Sequence, residues 1–151
     1  MKQALPLVVF TWSARLVVAA VFAIAALPKI QDPIAFAASI YGYQVIDGAL
    51  VSWTAIILPW LELTIAIGLL VPAIRRASGA CIALLLVLFI GLHASAWQRG
   101  LDISCGCFGS QTEPTTDYSL LFLRNLALLA ATAWVLWGDC KSKSAASKIA
   151  P

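Results

Sequence analysis

Four long apolar runs constrain this chain of 151 residues more than any other feature. A helix needs roughly 20 apolar residues to cross a bilayer, and an open strand edge cannot satisfy its backbone hydrogen bonds in lipid. Only 11% of the residues are charged, against about 25% in soluble domains. We therefore predict an all-α polytopic membrane protein, with residues 1–151 forming a single four-helix transmembrane domain. The expected spans are residues 5–27, 50–71, 77–97 and 118–137.

The first connection contains signals for an additional short helix. Asp32 is a good N-cap, and Pro33 suits the first helical position. We predict a helix of about residues 33–43 at the membrane interface, introduced by Lys29 and anchored at headgroup depth by Tyr41 and Tyr43. The alternative is a simple re-entry loop with aromatic anchors.

The basic residues predict the orientation of the bundle. With four spans, the two termini and the second connection share one side, which carries six Lys and Arg residues. The other side carries only Lys29 and Arg99. Because Lys and Arg collect on the cytoplasmic side, we expect cytoplasmic termini and a third connection that faces outward. The tail, residues 139–151, is expected to be a disordered basic segment on the cytoplasmic side.

Several polar side chains fall inside or near the ends of the predicted spans. A central charge costs at least about 2.5 to 3.5 kcal/mol on insertion scales, so such residues must pair or have a function. Arg15 and Glu62 have matching predicted depths, so we expect them to form an ion pair. The pair would either fix helix packing or line a quinone or proton-relay site.

His93 and Arg124 are both expected just beneath the third connection. A cation there would favour a cysteine thiolate, and a histidine could shuttle protons near neutral pH. The alternatives are an interfacial histidine with no chemical role and an arginine that snorkels to the headgroups.

The third connection contains Cys105-Gly106-Cys107, followed by Phe108 and Gly109. Gly106 gives the backbone the freedom to bend that a disulfide between cysteines two residues apart requires. Such a small ring is strained, and strained, exposed disulfides are the labile ones. Three interpretations stay open, namely a redox-active pair, a structural pair or two free thiols, and a soft-metal site that includes His93.

The remaining composition excludes other classes of function. Cys81 and Cys140 lie too far along the helices to reach the outer pair, so we expect both to be inert. One histidine excludes a multi-histidine metal centre. A net charge of +3 and the absence of a Gly-rich phosphate loop give no indication of nucleic-acid or nucleotide binding.

In order along the chain, several motifs resemble the MauE branch of the DoxX-like membrane proteins. They are Lys-x-x-Asp-Pro at 29–33, Pro-x-x-Glu at 59–62, Cys-Gly-Cys-Phe-Gly at 105–109 and Arg-Asn at 124–125. The resemblance covers about residues 15–137. It implies a four-helix protein of the bacterial inner membrane, associated with methylamine utilisation. It also implies a role in maturing a disulfide-rich periplasmic client together with a thioredoxin-like partner.

The architecture is also similar to that of the quinone-linked disulfide oxidases, the DsbB and vitamin K epoxide reductase group. Those enzymes have a second outward cysteine pair and a Cys-x-x-Cys motif, both of which this chain lacks. A partner protein could supply the missing pair.

The sequence therefore favours a membrane thiol–disulfide factor that acts through Cys105 and Cys107, with quinone as a candidate cofactor. The alternatives are a non-catalytic assembly factor for a periplasmic client and a soft-metal-handling protein.

Overall fold

The computed structural model describes residues 4–101 and 118–147, with side chains described for residues 9–101 and 118–139. All regular secondary structure in the described part of the chain is helical. In chain order the helices are α1 (Ala4–Gln31), α2 (Pro33–Gly42), α3 (Ala49–Gly68), α4 (Arg75–Gln98) and α5 (Tyr118–Ser147). All but α2 are long and apolar enough to cross a membrane. The predicted all-α, four-span architecture is confirmed.

The four long helices form a ring in which α1 packs against α3 and α5, and α4 packs against the same two helices. The short α2 lies mainly on α3 and touches α1. We call the end of the bundle that carries α2 the α2 end, and the end that carries the α3–α4 turn, residues 69–74, the turn end.

A narrow apolar core holds the ring together, and most of the apolar surface faces outward. Between 17% and 33% of the most apolar window of each span is buried inside the bundle. Large side chains such as Leu84 and Leu123 are 69% and 67% exposed. A water-soluble protein would hide such a surface, so the exposed apolar faces fit a multi-pass membrane protein. The core consists of Val18, Ala19, Phe22, Ile65, Ala66, Leu69, Ile82, Leu85, Leu86 and Val135.

The predicted start of α2 is confirmed. The Asp32 side chain accepts a hydrogen bond from the Ala35 amide at 2.9 Å, and Pro33 is the first helical residue. Phe36 is buried against the bundle, whereas Tyr41 is 61% exposed. The placement of α2 at the headgroup interface stays a prediction.

Two predicted boundaries are wrong, and both errors have a physical reason. Helix α1 continues through Pro28 to Gln31, so Lys29 belongs to a span and not to the first connection. Its charge is compatible with this position because it has a buried counter-charge. Helix α5 continues to Ser147 where a disordered tail was expected. Between Asp139 and Ser147 the chain has no proline or glycine to stop the helix.

Candidate functional site

A cavity of about 290 Å³ lies in the bundle at the α2 end. Its wall is mostly apolar and comes from all five helices and the α2–α3 connection. Small-molecule sites are typically of this kind, an apolar pocket with a few placed polar groups, and this volume is near the lower end of their range. The wall residues with charged or strongly polar side chains are Lys29, Tyr43, His93, Arg124 and Asn125.

Lys29 and Glu62 form a buried ion pair at the base of this cavity. The Lys29 ammonium donates to both carboxylate oxygens of Glu62 at 2.8 Å, and both side chains are almost fully buried. The Phe36 and Phe89 rings also lie near the Lys29 ammonium, at 5.1 and 5.7 Å. Each partner therefore offsets the desolvation cost of the other, and the pair ties α1 to α3.

His93 and Tyr43 meet across the cavity wall. The Nδ1 atom of His93 lies 2.5 Å from the Phe89 carbonyl oxygen, which can only accept, so Nδ1 carries the hydrogen. The Nε2 atom lies 3.5 Å from the Tyr43 hydroxyl and, when the ring is neutral, is its acceptor. Burial, with a contribution from Tyr118, raises the pKa of Tyr43 to about 12, so its phenol stays protonated and can donate.

Arg124 and Asn125 place two more polar side chains on the cavity wall from α5. Both also line a second cavity of about 40 Å³, which Lys29 and Glu62 share. Asn125 is 4% exposed, and its Nδ2 atom has no hydrogen-bond partner among the described residues. His93 and Arg124 were predicted to lie at similar depth, and the structure brings both to one cavity.

The connection that carries the cysteine pair begins and ends beside this cavity. Arg99 donates to the carbonyl oxygens of Tyr43, at 2.5 Å, and of Gln44, at 3.3 Å. The Tyr118 hydroxyl donates to the Leu101 carbonyl oxygen. The Arg99 bonds join the start of the connection to the segment that follows α2, and the Tyr118 bond joins the two ends of the connection to each other. The predicted site residues Cys105, Gly106, Cys107, Phe108 and Gly109 lie outside the described residues.

The predicted ion pair between Arg15 and Glu62 is wrong. Arg15 lies at the turn end, where its guanidinium donates to the Asp139 carboxylate at 2.8 Å. Arg75 approaches the same oxygen at 3.2 Å, and Arg76 donates to the Asp139 carbonyl. The error arose because the depth estimate placed the outer ends of the first two spans at one level, whereas Lys29, near the end of α1, lies at the level of Glu62. Arg15 lines neither of the two cavities described here.

Three residues have roles that differ from those expected from the sequence. Lys29 was assigned to a connection because its charge suggested the end of a span. Asp139 was assigned to the tail. Its position directly after an apolar run could have indicated a counter-charge for the intramembrane Arg15. Tyr43 was predicted only as an interfacial anchor, and nothing in the sequence pairs it with His93.

Of the other two cysteines, Cys81 is a free thiol exposed on the outer face of α4. Cys140 lies within α5, and its side chain is outside the described part. Among the described residues, no three His, Cys, Asp or Glu side chains form a group that could hold a metal ion. The soft-metal hypothesis depends on Cys105 and Cys107, so it stays a prediction.

Comparison with known proteins gives consistent matches over most of the chain. Residues 7–138 match the family described as Methylamine utilisation protein MauE. Three curated relatives carry the name methylamine utilization protein MauE. That of Methylophilus methylotrophus is 38% identical over 81% of this chain and 65% of its own length. That of Paracoccus denitrificans is 32% identical over 84% and 68%. That of Methylorubrum extorquens is 31% identical over 75% and 61%.

The matched part of this chain thus spans about two thirds of the length of these curated relatives. No solved structure matches the chain significantly.

Proposed function

Because the chain belongs to the MauE family, we propose that it is a bacterial inner-membrane thiol–disulfide factor. It acts through Cys105 and Cys107 with a periplasmic thioredoxin-like partner. Its role is the maturation of a disulfide-containing periplasmic client in methylamine utilisation. The observation that carries the proposal is that the start of the cysteine-bearing connection is bonded through Arg99 to Tyr43, on the wall of a mostly apolar cavity that His93 and Arg124 also line. The name of the relatives supports the pathway.

The distribution of basic residues supports an outward-facing cysteine pair. Lys29 lies buried inside the bundle and Arg124 belongs to α5, so Arg99 is the basic residue left in the connections on the α2 side. Six basic residues belong to the opposite side, and this bias favours a cytoplasmic turn end with both termini. The cysteine pair is then in the periplasm, where a disulfide can form and persist. The six residues are Lys2, Arg75, Arg76, Lys141, Lys143 and Lys148.

The short tether supports a link between the pair and the cavity. Cys105 follows Leu101 by four residues, and a fully extended chain spans at most about 3.6 Å per residue. The tether from Leu101 to Cys105 is therefore no longer than about 14 Å. Leu101 is bonded to Tyr118, and Arg99 is bonded to Tyr43 on the cavity wall. A thiolate within reach of this wall would be stabilised by the Arg124 guanidinium, which lowers a thiol's pKa.

The chemistry is thiol–disulfide exchange. The thiolate of one loop cysteine attacks a disulfide of the thioredoxin-like partner, forms a mixed disulfide and expels a partner thiolate. The second loop cysteine then attacks its neighbour, restores the loop disulfide and releases the partner in its reduced form. The strained Cys-Gly-Cys ring makes the loop disulfide easily reducible, so the exchange can also run in the opposite direction.

The test is the trapping of the mixed disulfide. Cys105→Ser and Cys107→Ser remove the resolving thiol in turn, so one of the two variants should accumulate a covalent adduct with a periplasmic thioredoxin-like protein. The adduct is measured on non-reducing gels and identified by mass spectrometry. Cys81→Ser is the matched control, because its thiol lies on the outer face of α4, and it should behave as the wild type does.

Two outcomes would overturn the proposal. A client that co-purifies without any covalent adduct in either variant would indicate a non-catalytic assembly factor. One soft metal ion per chain, lost on replacement of either cysteine, would indicate metal handling.

A further inference from the structure

The cavity at the α2 end has a wall that suits one kind of ligand. Apolar side chains such as Leu58, Leu88 and Leu92 form most of its surface. Among the described wall residues, Lys29, Tyr43, Arg124 and Asn125 carry hydrogen-bond donors, and none of the wall residues is a carboxylate. An apolar molecule that carries a hydrogen-bond-accepting oxygen would complement this wall.

Two of the donors are incompletely used. The Nδ2 atom of Asn125 is buried without a partner among the described residues. The Tyr43 hydroxyl has His93 Nε2 at 3.5 Å, which is long for a bond from a hydroxyl. Buried polar groups nearly always have partners, so an unpaired amide on a cavity wall points to a ligand oxygen as the missing acceptor.

The cavity also lies where a lipid-soluble molecule can reach it. Helix α2 packs against α3 and α1, and within the described residues it makes no direct helix contact with α4 or α5. Among the described residues, the side-chain contacts that cross this side are the Tyr43–His93 contact and the bonds from Arg99 to Tyr43 and Gln44. A ligand that enters here from the bilayer would displace these contacts and would not have to separate two packed helices.

We propose that this cavity binds the head group of a membrane quinone, with a ring carbonyl accepting from Asn125 and Tyr43. The proposal rests on the proposed thiol–disulfide function in the direction in which the partner's dithiol reduces the loop disulfide, because the loop dithiol so formed then needs a two-electron acceptor in the membrane. When the Cys105 and Cys107 thiols are oxidised, one S–S bond forms and two S–H bonds break. The quinone takes up the two electrons and the two protons at its two oxygens and becomes a quinol.

The first measurement is equilibrium binding of decylubiquinone to the full chain in lipid nanodiscs, followed by quenching of tryptophan fluorescence. Asn125→Leu, which keeps the side-chain size and removes the donor, should raise the Kd about tenfold or more. Ser39→Phe should raise it similarly by filling the cavity. Thr132→Val is the control, because Thr132 lines neither described cavity and donates within α5 to Leu128. Its Kd should equal that of the wild type.

The same titrations with oleate distinguish a quinone from a fatty acid, since both carry an apolar chain and hydrogen-bond-accepting oxygens. Decylubiquinone bound in preference to oleate is the expected result. Oleate bound without decylubiquinone, or equal decylubiquinone affinity in the wild type, Asn125→Leu and Ser39→Phe, would overturn the quinone site.

Repeating the titration with Cys105→Ser/Cys107→Ser separates this inference from the proposed function. Quinone binding does not need the thiols, so the double variant should keep the wild-type Kd. Binding that persists where no mixed disulfide can be trapped would leave the cavity assignment intact and remove the exchange function. A trapped mixed disulfide without any quinone binding would leave the exchange function intact and remove the cavity assignment.

Discussion

At the scale of single residues, the bundle keeps its buried charges by pairing them at two separate levels. Lys29 pairs with Glu62 beneath the α2-end cavity, and Arg15 pairs with Asp139 at the turn end. A buried pair contributes little net stability, but the loss of one partner leaves the other uncompensated in a medium of low polarity. The two pairs therefore matter most when one member is removed.

We expect Glu62→Gln to destabilise the protein by about 3 to 5 kcal/mol, because the Lys29 ammonium keeps its burial and loses its counter-charge. The double variant Lys29→Met/Glu62→Gln should recover much of this loss. Unfolding in detergent monitored by circular dichroism measures both. Asp47→Asn is the control, since Asp47 is exposed, and its effect should stay within about 0.5 kcal/mol. A Glu62→Gln effect as small as that of Asp47→Asn would contradict a desolvated pair.

At the scale of whole elements, close approach of helices depends on small residues at particular crossings. A Cβ atom on Gly79 of α4 would lie 2.9 Å from the Leu136 Cδ2 atom of α5. Gly91 of α4 has no atom within 4 Å of the same position and is exposed. The same residue type thus serves packing at one point of α4 and not at another.

We expect Gly79→Leu to weaken the α4–α5 packing by about 1 to 3 kcal/mol through overpacking. Gly91→Leu should be neutral or stabilising, because its side chain would extend away from the bundle. Thermal unfolding of the two variants in the same detergent makes the comparison. Equal destabilisation by both would show that α4 and α5 do not approach each other at Gly79 as described.

At the scale of the whole molecule, the ring of spans places the α2-end cavity and the Arg15–Asp139 cluster at opposite ends of the bundle. The proposed orientation assigns the basic cluster to the cytoplasm, where Arg75 and Arg76 can also meet anionic lipid. It assigns the cavity and the cysteine connection to the periplasmic half. The two ends would then differ in charge, redox environment and function.

Labelling of intact cells tests this orientation. After mild reduction, a membrane-impermeant maleimide should label Cys105 and Cys107 from outside, and Cys140 only after the cells are permeabilised. A variant that retains Cys81 alone should resist the reagent in both conditions, because its thiol is on the apolar outer face of α4. Labelling of Cys140 in intact cells would reverse the proposed topology.

The number of spans, the start of α2 and the family could all be predicted from the sequence. The length of the apolar runs sets the number of spans. The Asp32–Pro33 pair has a local capping geometry that needs no tertiary contact. The family follows from motifs whose order along the chain is itself the signal. The similar depth of His93 and Arg124 was predicted because both residues were counted from the same end of the bundle.

Only the tertiary structure decided which charges meet and what surrounds them. The position of a residue within an apolar run gives its depth along its own helix. It does not give the neighbour that the residue faces, and it did not show that α1 continues beyond Leu27. Lys29 stays inside the bundle because Glu62 is there to receive it, and Arg15 pairs with Asp139 because α5 lies beside α1 at the turn end. Local chemistry fixes where a helix can cross a membrane, whereas the pairing of its buried charges depends on which helices the fold makes neighbours.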